Sequence, residues 1–395
     1  MVSADVQALR LGIVALRRAL HRQPELAFEE TGTACTLAAC MRTLGLSVQI
    51  GVGGTGVVAV LEGARPGPTL LVRADMDALP IDDMTGTDYA STRPGRNHAC
   101  GHDVHAAIVV GVAQVLSRHR AQLAGRVAFV FQPADEPMRG ARRMIEDGVL
   151  ERLAPDMSLA LHVLPMAESG HVVVQRGPLW ASWDTRRFTI TGPPPPFDVV
   201  RVAAEVTSTL YAVVEAQGQS ADPVTFRVRV LQAEQRADGE PPQAAIETLL
   251  GRGWPSRAAL ETNLAVYDHD LRARLLARLE SAARAIVGAA GGTLDVATDY
   301  ALPPLVNDER VTGAVERAAR HVLGDGRIIR DWRNRFSDDF GLFMAAAPGC
   351  LMLLGTASAD KGITEIWHRP RFDVDEDAIP IGMEILSLAA LDVLR

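Results

Sequence analysis

The chain has 395 residues, a formal net charge of −8 at pH 7, 48% hydrophobic residues and 22% charged residues. This length predicts two domains or one domain carrying an insertion, and the composition excludes a disordered or fibrous chain. The acidic balance argues against nucleic-acid binding, and no apolar run reaches the roughly 18 residues of a membrane span. Four cysteines are too few for a disulfide framework in a chain of this length, so we expect a cytoplasmic protein.

The first half of the chain alternates strand-like and helical patterns. Apolar residues at helical spacing predict a helix from the N-terminus to Gln23-Pro24 and a second helix over Thr31–Thr43. Short apolar runs predict strands at Val57–Leu61, Thr69–Arg73, Arg126–Phe131, Met157–His162 and His171–Gln175. Further helices are predicted at Ala106–Arg118 and Ala141–Leu150. This alternation predicts an α/β domain with a largely parallel sheet.

The pattern changes after residue 187. Strands are predicted at Arg187–Thr191, Thr225–Val230 and Asn263–Tyr267, and helices at Val199–Ala216 and Asp270–Val287, with a proline run at Pro193–Pro196 and a polar loop at Ala233–Pro242. The α/β pattern then returns, with a strand at Cys350–Gly355 and a helix at Ile379–Val393. We therefore predict a catalytic domain over residues 1–187 and 298–395, interrupted by an inserted α+β sandwich over residues 188–297.

A cluster of metal-ligand residue types precedes the helix predicted at Ala106. Within eight residues the chain carries Cys100 and three histidines, His98, His102 and His105. Cys100 and His102 are two positions apart, so their side chains can meet on one ion, and thiolate with imidazole suits Zn, Co or Mn. The alternative interpretation of this segment alone is a buried cysteine beside solvated histidines.

Two carboxylates and two further histidines extend this inventory. Asp135 and Glu136 follow a predicted strand, at the edge where open α/β sheets build their sites, and one can bind a metal while the other acts as general base. An exposed acidic loop is the alternative interpretation of that pair. His162 closes a buried run, and His368 lies in a late loop. With Cys100 and His102, these residues are enough for a two-metal site.

Several longer motifs occur in one order along the chain: 20–26 (LHRQPEL), 73–80 (RADMDALP), 98–105 (HACGHDVH), 131–136 (FQPADE), 162–163 (HV), 337–340 (SDDF) and 368–372 (HRPRF). Together they resemble the di-metal aminoacylase and carboxypeptidase superfamily, in the branch of hippurate hydrolases and indole-acetyl-amino-acid hydrolases. The resemblance implies an α/β catalytic domain with an inserted lid or dimerisation domain, and hence a homodimer through that domain. It also implies two divalent ions (Zn, Mn or Co).

The resemblance assigns roles to individual residues. The metal ligands are Cys100, His102, Glu136, His162 and His368. The first acid of the pair is the general base, which is glutamate in the family and Asp135 here. Lower-ranked candidates that either support the ligands or bind substrate are Asp75, His98, His105 and Arg333.

The inserted domain departs from the family pattern. Relatives carry a Gly-Gly-His-Gly-Ala segment whose histidine stabilises the oxyanion, whereas this chain has Thr191-Gly192 followed by four prolines and no histidine between His171 and His269. The asparagine of a second segment is absent, and Ala265 stands where relatives have an arginine that grips the substrate carboxylate. These losses predict a substrate that differs from the family norm.

Three hypotheses about function follow. The first is a metal-dependent amidohydrolase that cleaves the amide bond of an N-acyl amino acid-like or specialised-metabolite substrate. The second keeps the metal site but changes the reaction, for example to amide formation. The third is a non-catalytic metal-binding homologue. Retention of all five ligand types favours the first two, whereas Asp135 and the losses in the inserted domain favour the third.

Overall fold

Residues 1–193, 197–217, 224–233 and 257–395 are described in a computed structural model. Contacts between Cα atoms divide the chain into two compact units. The first unit comprises Met1–Leu179, Val306–Arg333 and Asp338–Arg395, and the second comprises Trp180–Leu305 with Asn334–Ser337. The predicted roles of these units, as catalytic domain and as lid or dimerisation domain, stay predictions.

The helices of the described residues occur in both units. In chain order they are α1 (Val2–Arg22), α2 (Thr31–Thr43), α3 (His102–Arg118), α4 (Gly140–Glu146), α5 (Val149–Leu153), α6 (Val199–Glu215), α7 (His269–Ala289), α8 (Glu309–Leu323), α9 (Phe340–Ala346) and α10 (Ala378–Val393). Asp198, Asp268 and Asp308 cap the N-termini of α6, α7 and α8, because their side chains accept hydrogen bonds from backbone N–H groups of the first turn.

The strands follow the same order. They are β1 (Ser47–Val52), β2 (Gly56–Glu62), β3 (Arg65–Asp75), β4 (Ala124–Gln132), β5 (Met157–Glu168), β6 (Val172–Val173), β7 (Gly177–Trp180), β8 (Trp183–Thr191), β9 (Thr225–Ala233), β10 (Arg257–Ala265), β11 (Thr293–Leu302), β12 (Leu305–Asn307), β13 (Ile328–Ile329) and β14 (Gly349–Ala357).

An eight-stranded sheet forms the centre of the first unit, in the order β1-β2-β4-β3-β5-β14-β6-β13. The four central strands, β4, β3, β5 and β14, are mutually parallel, so their carboxyl ends meet at one edge. β14 is buried from Gly349 to Thr356, as expected of a parallel strand covered on both faces. The α/β fold with a mostly parallel sheet, predicted from the alternation of elements, is confirmed.

The second unit has its own antiparallel sheet, in the order β11-β8-β10-β9. Helices α6 and α7 contact each other, and their buried residues form one hydrophobic cluster with those of the sheet, including Phe188, Leu210, Leu260 and Leu275. β11 runs from Thr293 to Leu302, through the boundary that the sequence predicted at residue 297.

Some local predictions were wrong. The helix predicted at Ala141–Leu150 is two short helices, because Gly148 between them takes a left-handed φ of 78° that an α-helix does not allow. The strand predicted to end at His162 continues to Glu168, and the one predicted at His171–Gln175 is only Val172–Val173. The strand predicted at Asn263–Tyr267 is β10, Arg257–Ala265. Residues 194–196 of the proline run and 234–242 of the polar loop lie outside the described residues.

Candidate metal centre

The carboxyl edge of the parallel strands brings the predicted ligands together within the first unit. Asp75 is the last residue of β3, Asp135 and Glu136 follow β4, and His162 lies on β5 just beyond the last residue paired with β3, Ala160. Cys100 and His102 stand at the start of α3. This is the edge at which open parallel sheets build their sites.

The five predicted ligands form two groups that share Cys100. One group is Cys100, His102 and His162, the other is Cys100, Glu136 and His368, and the potential donor atoms within each group lie within 4.8 Å of one another. The Cys100 Sγ is 3.6 Å from the His162 Nε2, and the His368 Nε2 is 3.5 Å from the Glu136 Oε2. Two groups with a common thiol fit two ions with a shared ligand.

The loop before α3 depends on one glycine. Gly101 has a φ of 86°, and a Cβ atom there would lie 2.6 Å from the Val163 Cγ2. Glycine is therefore required between Cys100 and His102, both for the left-handed turn and for the close approach of β5. The turn lets the two residues on either side of Gly101 direct a thiol and an imidazole into the same space.

Hydrogen bonds fix which ring nitrogen of two histidines faces the site. The His102 Nδ1 lies 3.2 Å from the Asp77 Oδ1, which leaves the Nε2 to face Glu136 and Asp135, each at 3.8 Å. The His162 Nδ1 donates to the Val163 carbonyl at 2.8 Å, which leaves its Nε2 facing Cys100. A ligand histidine held through its other nitrogen is the usual arrangement at metal sites.

Two buried polar atoms at this place test whether a metal fits. The His102 Nε2 and the Glu136 Oε1 are buried and have no hydrogen-bond partner among the described residues. Such atoms are unfavourable unless something binds them. A set of thiol, imidazole and carboxylate donors supplies the borderline ligands that Zn, Mn or Co accept. The residues present therefore fit a divalent metal centre.

Burial and neighbouring charges shift the pKa values of three predicted ligands. Burial raises the pKa of Glu136 to about 8 and raises the pKa of the Cys100 thiol well above its usual range. Burial disfavours the charged form of His102, but Asp75 and Cys100 outweigh it and raise the pKa of this imidazole well above its usual range. Since metal ligands must be deprotonated, ion binding here is accompanied by proton release.

Asp75 and His105 lie outside the two groups that share Cys100 and form a further set of potential donors with His102. The His105 Nδ1 lies 2.6 Å from the Asp75 Oδ1, and the Val163 amide donates to the His105 Nε2 at 2.9 Å. His105 must therefore carry its proton on Nδ1, in the neutral form, since its other nitrogen accepts. The pair ties the end of β3 to the backbone beside His162.

The other two candidates, His98 and Arg333, belong to none of the groups of potential donors found among the described residues. His98 is buried, burial lowers its pKa to about 3, and neither ring nitrogen has a hydrogen-bond partner among the residues the structure describes. Arg333 is exposed on the segment between β13 and α9. Its predicted role in substrate binding stays a prediction.

Asp135 makes a contact that the sequence did not reveal. Its Oδ1 accepts a hydrogen bond from the Arg73 guanidinium, which is fully buried and also donates to Asp75 at 2.6 Å. Asp338 and Asp339 lie 3.3 Å from the same Nη2 atom. The second oxygen, Oδ2, remains on the side of His102.

Asp77 contacts two of the predicted site residues and was not predicted from the sequence. Its carboxylate accepts from His102 and also from the backbone amides of Asp135 and Glu136, at 3.0 and 3.1 Å. It thus joins a ligand histidine to the turn that carries both acids. The available signal was its place in the motif at residues 73–80, two positions beyond Asp75 at the carboxyl end of a parallel strand.

An α/β domain with paired ligand groups at the carboxyl edge of its sheet defines a two-metal hydrolase type of centre. Residues 71–392 match the model of Peptidase family M20/M25/M40, and the chain belongs to this family. The family predicted from the motifs is therefore confirmed.

Known relatives match nearly the whole chain. A probable hydrolase of Synechocystis sp. is 33% identical, over 97% of this chain and 96% of its own length. The N-acetylcysteine deacetylase of Bacillus subtilis is 30% identical, over 98% of each chain. Among solved structures, the YXEP protein of Bacillus subtilis, described as a dinuclear metal-binding peptidase of family M20, is 29% identical with a TM-score of 0.80, over 98% of this chain and 99% of its own.

No helix among the described residues is both long and apolar enough to span a membrane.

Proposed function

We propose that this protein is a metal-dependent amidohydrolase that uses two divalent ions. The observation that carries the proposal is the pair of ligand groups sharing Cys100 beside the Asp135 carboxylate. Membership of the M20 family supports it, as does the similarity to a dinuclear peptidase and to an N-acetylcysteine deacetylase.

The ligand residues divide between the two ions. Cys100, His102 and His162 would hold one, and Cys100, Glu136 and His368 would hold the other. When bound, the ions supply Lewis-acid activation of water and of an amide carbonyl. The resemblance implies a lid histidine that this sequence lacks, so the ions would supply the stabilisation of the developing oxyanion when bound.

Asp135 is the residue we assign as general base. Arg73 binds one carboxylate oxygen and leaves the other facing the ligand groups. This second oxygen takes the proton of the attacking water and returns it to the leaving amine, so that one carboxylate serves both steps. Aspartate is one methylene shorter than the family's glutamate, and a displacement of about 1 Å can reduce the rate about 100-fold.

The substrate we propose is a small N-acyl amino acid-like or specialised-metabolite amide. The bond between the acyl group and the amine of such a substrate is of the type that an N-acetylcysteine deacetylase cleaves. The N-acetylcysteine deacetylase of Bacillus subtilis is similar to this chain over nearly its full length. The resemblance places Ala265 where the family has an arginine that binds the substrate carboxylate, so the amine part of the substrate is expected to differ from an ordinary amino acid.

Assembly and setting complete the proposal. The sheet of the second unit ends in strands β9 and β11, and an edge strand can pair with a second copy of the chain. We therefore propose a homodimer through this unit, tested by light scattering of the purified protein.

A cytoplasmic setting suits the thiol ligand, because reducing conditions preserve it.

The test combines metal analysis with an activity screen. Protein purified without chelator should contain about two equivalents of Zn, Mn or Co and should release the amine from at least one member of a panel of N-acyl amino acids and related amides. Asp135→Asn should keep the metal and lose about 100-fold or more in kcat. Asp331→Asn, an exposed aspartate in the same unit, is the matched control and should keep both metal and turnover.

Each failure selects a different alternative. Metal without turnover on the whole panel would support a changed reaction, such as amide formation. No metal, even after addition of Zn, Mn or Co, would contradict the proposal and leave a non-catalytic homologue.

A further inference from the structure

The turn between β4 and α4 carries both functional acids, Asp135 and Glu136, and its backbone is unusual. Ala134, the residue just before them, has a φ of 49°, in the left-handed region that alanine rarely adopts. Ala134 is also fully buried. Something must therefore stabilise this conformation, since an isolated alanine would leave it.

The carbonyl of Ala134 accepts from the amides of Arg139 and Gly140 within the turn, whereas its own amide donates to a buried glutamate from another part of the first unit. Glu30 is fully buried, and its Oε1 accepts a hydrogen bond from the Ala134 amide at 2.9 Å. Its Oε2 accepts from the Thr55 hydroxyl, in the turn between β1 and β2. A glutamate side chain is rarely fully buried unless its carboxylate is paired with another group.

Glu30 is not needed to cap its own helix. It immediately precedes α2, but the side chain of Glu25 accepts from the free amides of that helix, Gly32 at 3.2 Å and Thr33 at 2.8 Å. Glu25 and Glu30 thus have separate hydrogen-bond partners. Glu25 serves the helix, and Glu30 serves the turn before Asp135.

We propose that Glu30 is a positioning residue that holds Ala134 in its left-handed conformation and thereby sets the directions of the Asp135 and Glu136 side chains. This inference rests on the proposed function, because its value lies in the roles given to those two acids. Neither the family motifs nor the ligand groups assign Glu30 a part in the site.

The contacts explain how a residue outside the ligand groups controls them. Asp77 holds the amides of Asp135 and Glu136, and Glu30 holds the amide before them, so three consecutive amides are fixed by two carboxylates. Without Glu30 the Ala134 amide is buried with no partner, and the residue relaxes towards negative φ. Rotation at this position moves the next two side chains, and a displacement of about 1 Å is enough to lower kcat about 100-fold.

The experiment compares Glu30→Ala with the matched control Glu25→Ala, both in the full chain. Glu30→Ala should lower kcat by about 10- to 100-fold with KM within about 3-fold, since the interaction acts on the reacting groups and not on substrate binding. It should also weaken binding of one of the two ions by about 10-fold, measured by titration of the metal-free protein. Glu25→Ala should lower the thermal midpoint and leave kcat and both metal affinities unchanged.

Two further variants distinguish a positioning role of Glu30 from general destabilisation of the fold. Glu30→Gln keeps an oxygen that can accept from Ala134 and should stay within about 3-fold of wild-type kcat. Adding Ala134→Gly to Glu30→Ala should recover about 10-fold in kcat, because glycine accepts a positive φ without steric penalty. If Glu30→Ala does not fold, Thr55→Val serves instead and should lower kcat by about 3- to 10-fold, because it removes only the hydroxyl that fixes Glu30.

Equal losses in Glu25→Ala and Glu30→Ala would overturn the proposal, as would a Glu30→Gln variant as impaired as Glu30→Ala. The metal titration needs no turnover. If the wild-type protein binds two ions but hydrolyses no amide, selective loss of affinity for one ion in Glu30→Ala still supports the positioning role, and unchanged affinities contradict it. Failure of this inference is therefore distinguishable from failure of the proposed function.

Discussion

The Cys100 thiol belongs to both groups of predicted ligands, so a change at this one sulfur tests both at once. Replacing it with a hydroxyl in Cys100→Ser removes the soft donor that the two groups share. We expect each of the two metal equivalents to bind at least about 10-fold more weakly than in the wild-type protein. The measurement is metal content by mass spectrometry after dialysis against a weak chelator.

The matched control for this change is another buried cysteine. Cys350 lies inside β14, and burial raises the pKa of its thiol to about 12, so it stays protonated in the core. Cys350→Ser should bind both ions as the wild-type protein does, while being less stable. Retention of two tightly bound ions in Cys100→Ser would contradict the ligand assignment.

How far the sequence could reveal the site differs from residue to residue. Cys100, His102 and Glu136 could be predicted as ligands because their residue types are characteristic of metal ligands and their motifs are short and contiguous. Arg73 and Glu30 were not found, because what each does depends on its contact with a turn about 60 to 105 positions away. No local spacing encodes such a contact. A buried arginine or glutamate is recognised only once the partner is seen.

At the scale of elements, two buried residues of α1, Arg17 and His21, contact the start of α3. Arg17 donates to Asp103 at 2.8 Å, and Asp103 follows the ligand His102 at the start of α3. Arg17 also binds Asp373 and Glu376, which lie after the loop of His368. This helix therefore fixes the beginning of α3 relative to the segment that follows His368.

Removing the positive charge of Arg17 should destabilise the first unit strongly. Arg17→Met leaves Asp103 buried without its main counter-charge, and breaking one partner of a buried ion pair costs about 3–5 kcal/mol. The neighbouring Arg18 is the matched control. Its side chain is 35% exposed and pairs with Glu376, so Arg18→Met should cost about 1 kcal/mol or less. The urea midpoints of the metal-loaded variants measure the difference, and equal midpoints would contradict it.

The limits of prediction at this scale also have physical causes. The ends of α2 were predicted at Thr31 and Thr43, where the structure has them, since Gly45 at a φ of 74° closes the segment. The break at Gly148 was missed although the same residue type signals it, because the apolar spacing continues across the glycine into α5. The ends of β5 and β10 depend on which neighbouring strand they pair with, which the local sequence does not contain.

At the scale of the whole molecule, each compact unit has a separate hydrophobic cluster. One cluster includes Leu70, Leu159 and Leu386 of the first unit, and the other includes Leu260 and Leu275 of the second. All five predicted metal ligands belong to the first unit. The two units are therefore expected to respond differently to metal.

Metal should stabilise one unit and leave the other unchanged. A ligand present at about 100 times its dissociation constant stabilises the folded state that binds it by about 2.7 kcal/mol. Adding metal to the chelator-treated protein should therefore raise one unfolding transition in calorimetry, and hydrogen exchange should assign that transition to peptides of the first unit. Leu260→Ala creates a cavity in the second cluster, which should lower the free energy of unfolding of that unit by about 2–5 kcal/mol. It should therefore lower the midpoint of the metal-insensitive transition only, whereas Leu386→Ala should lower the midpoint of the metal-sensitive one. If metal raised both transitions equally, the units would unfold as one, and separate clusters would not mean separate stabilities.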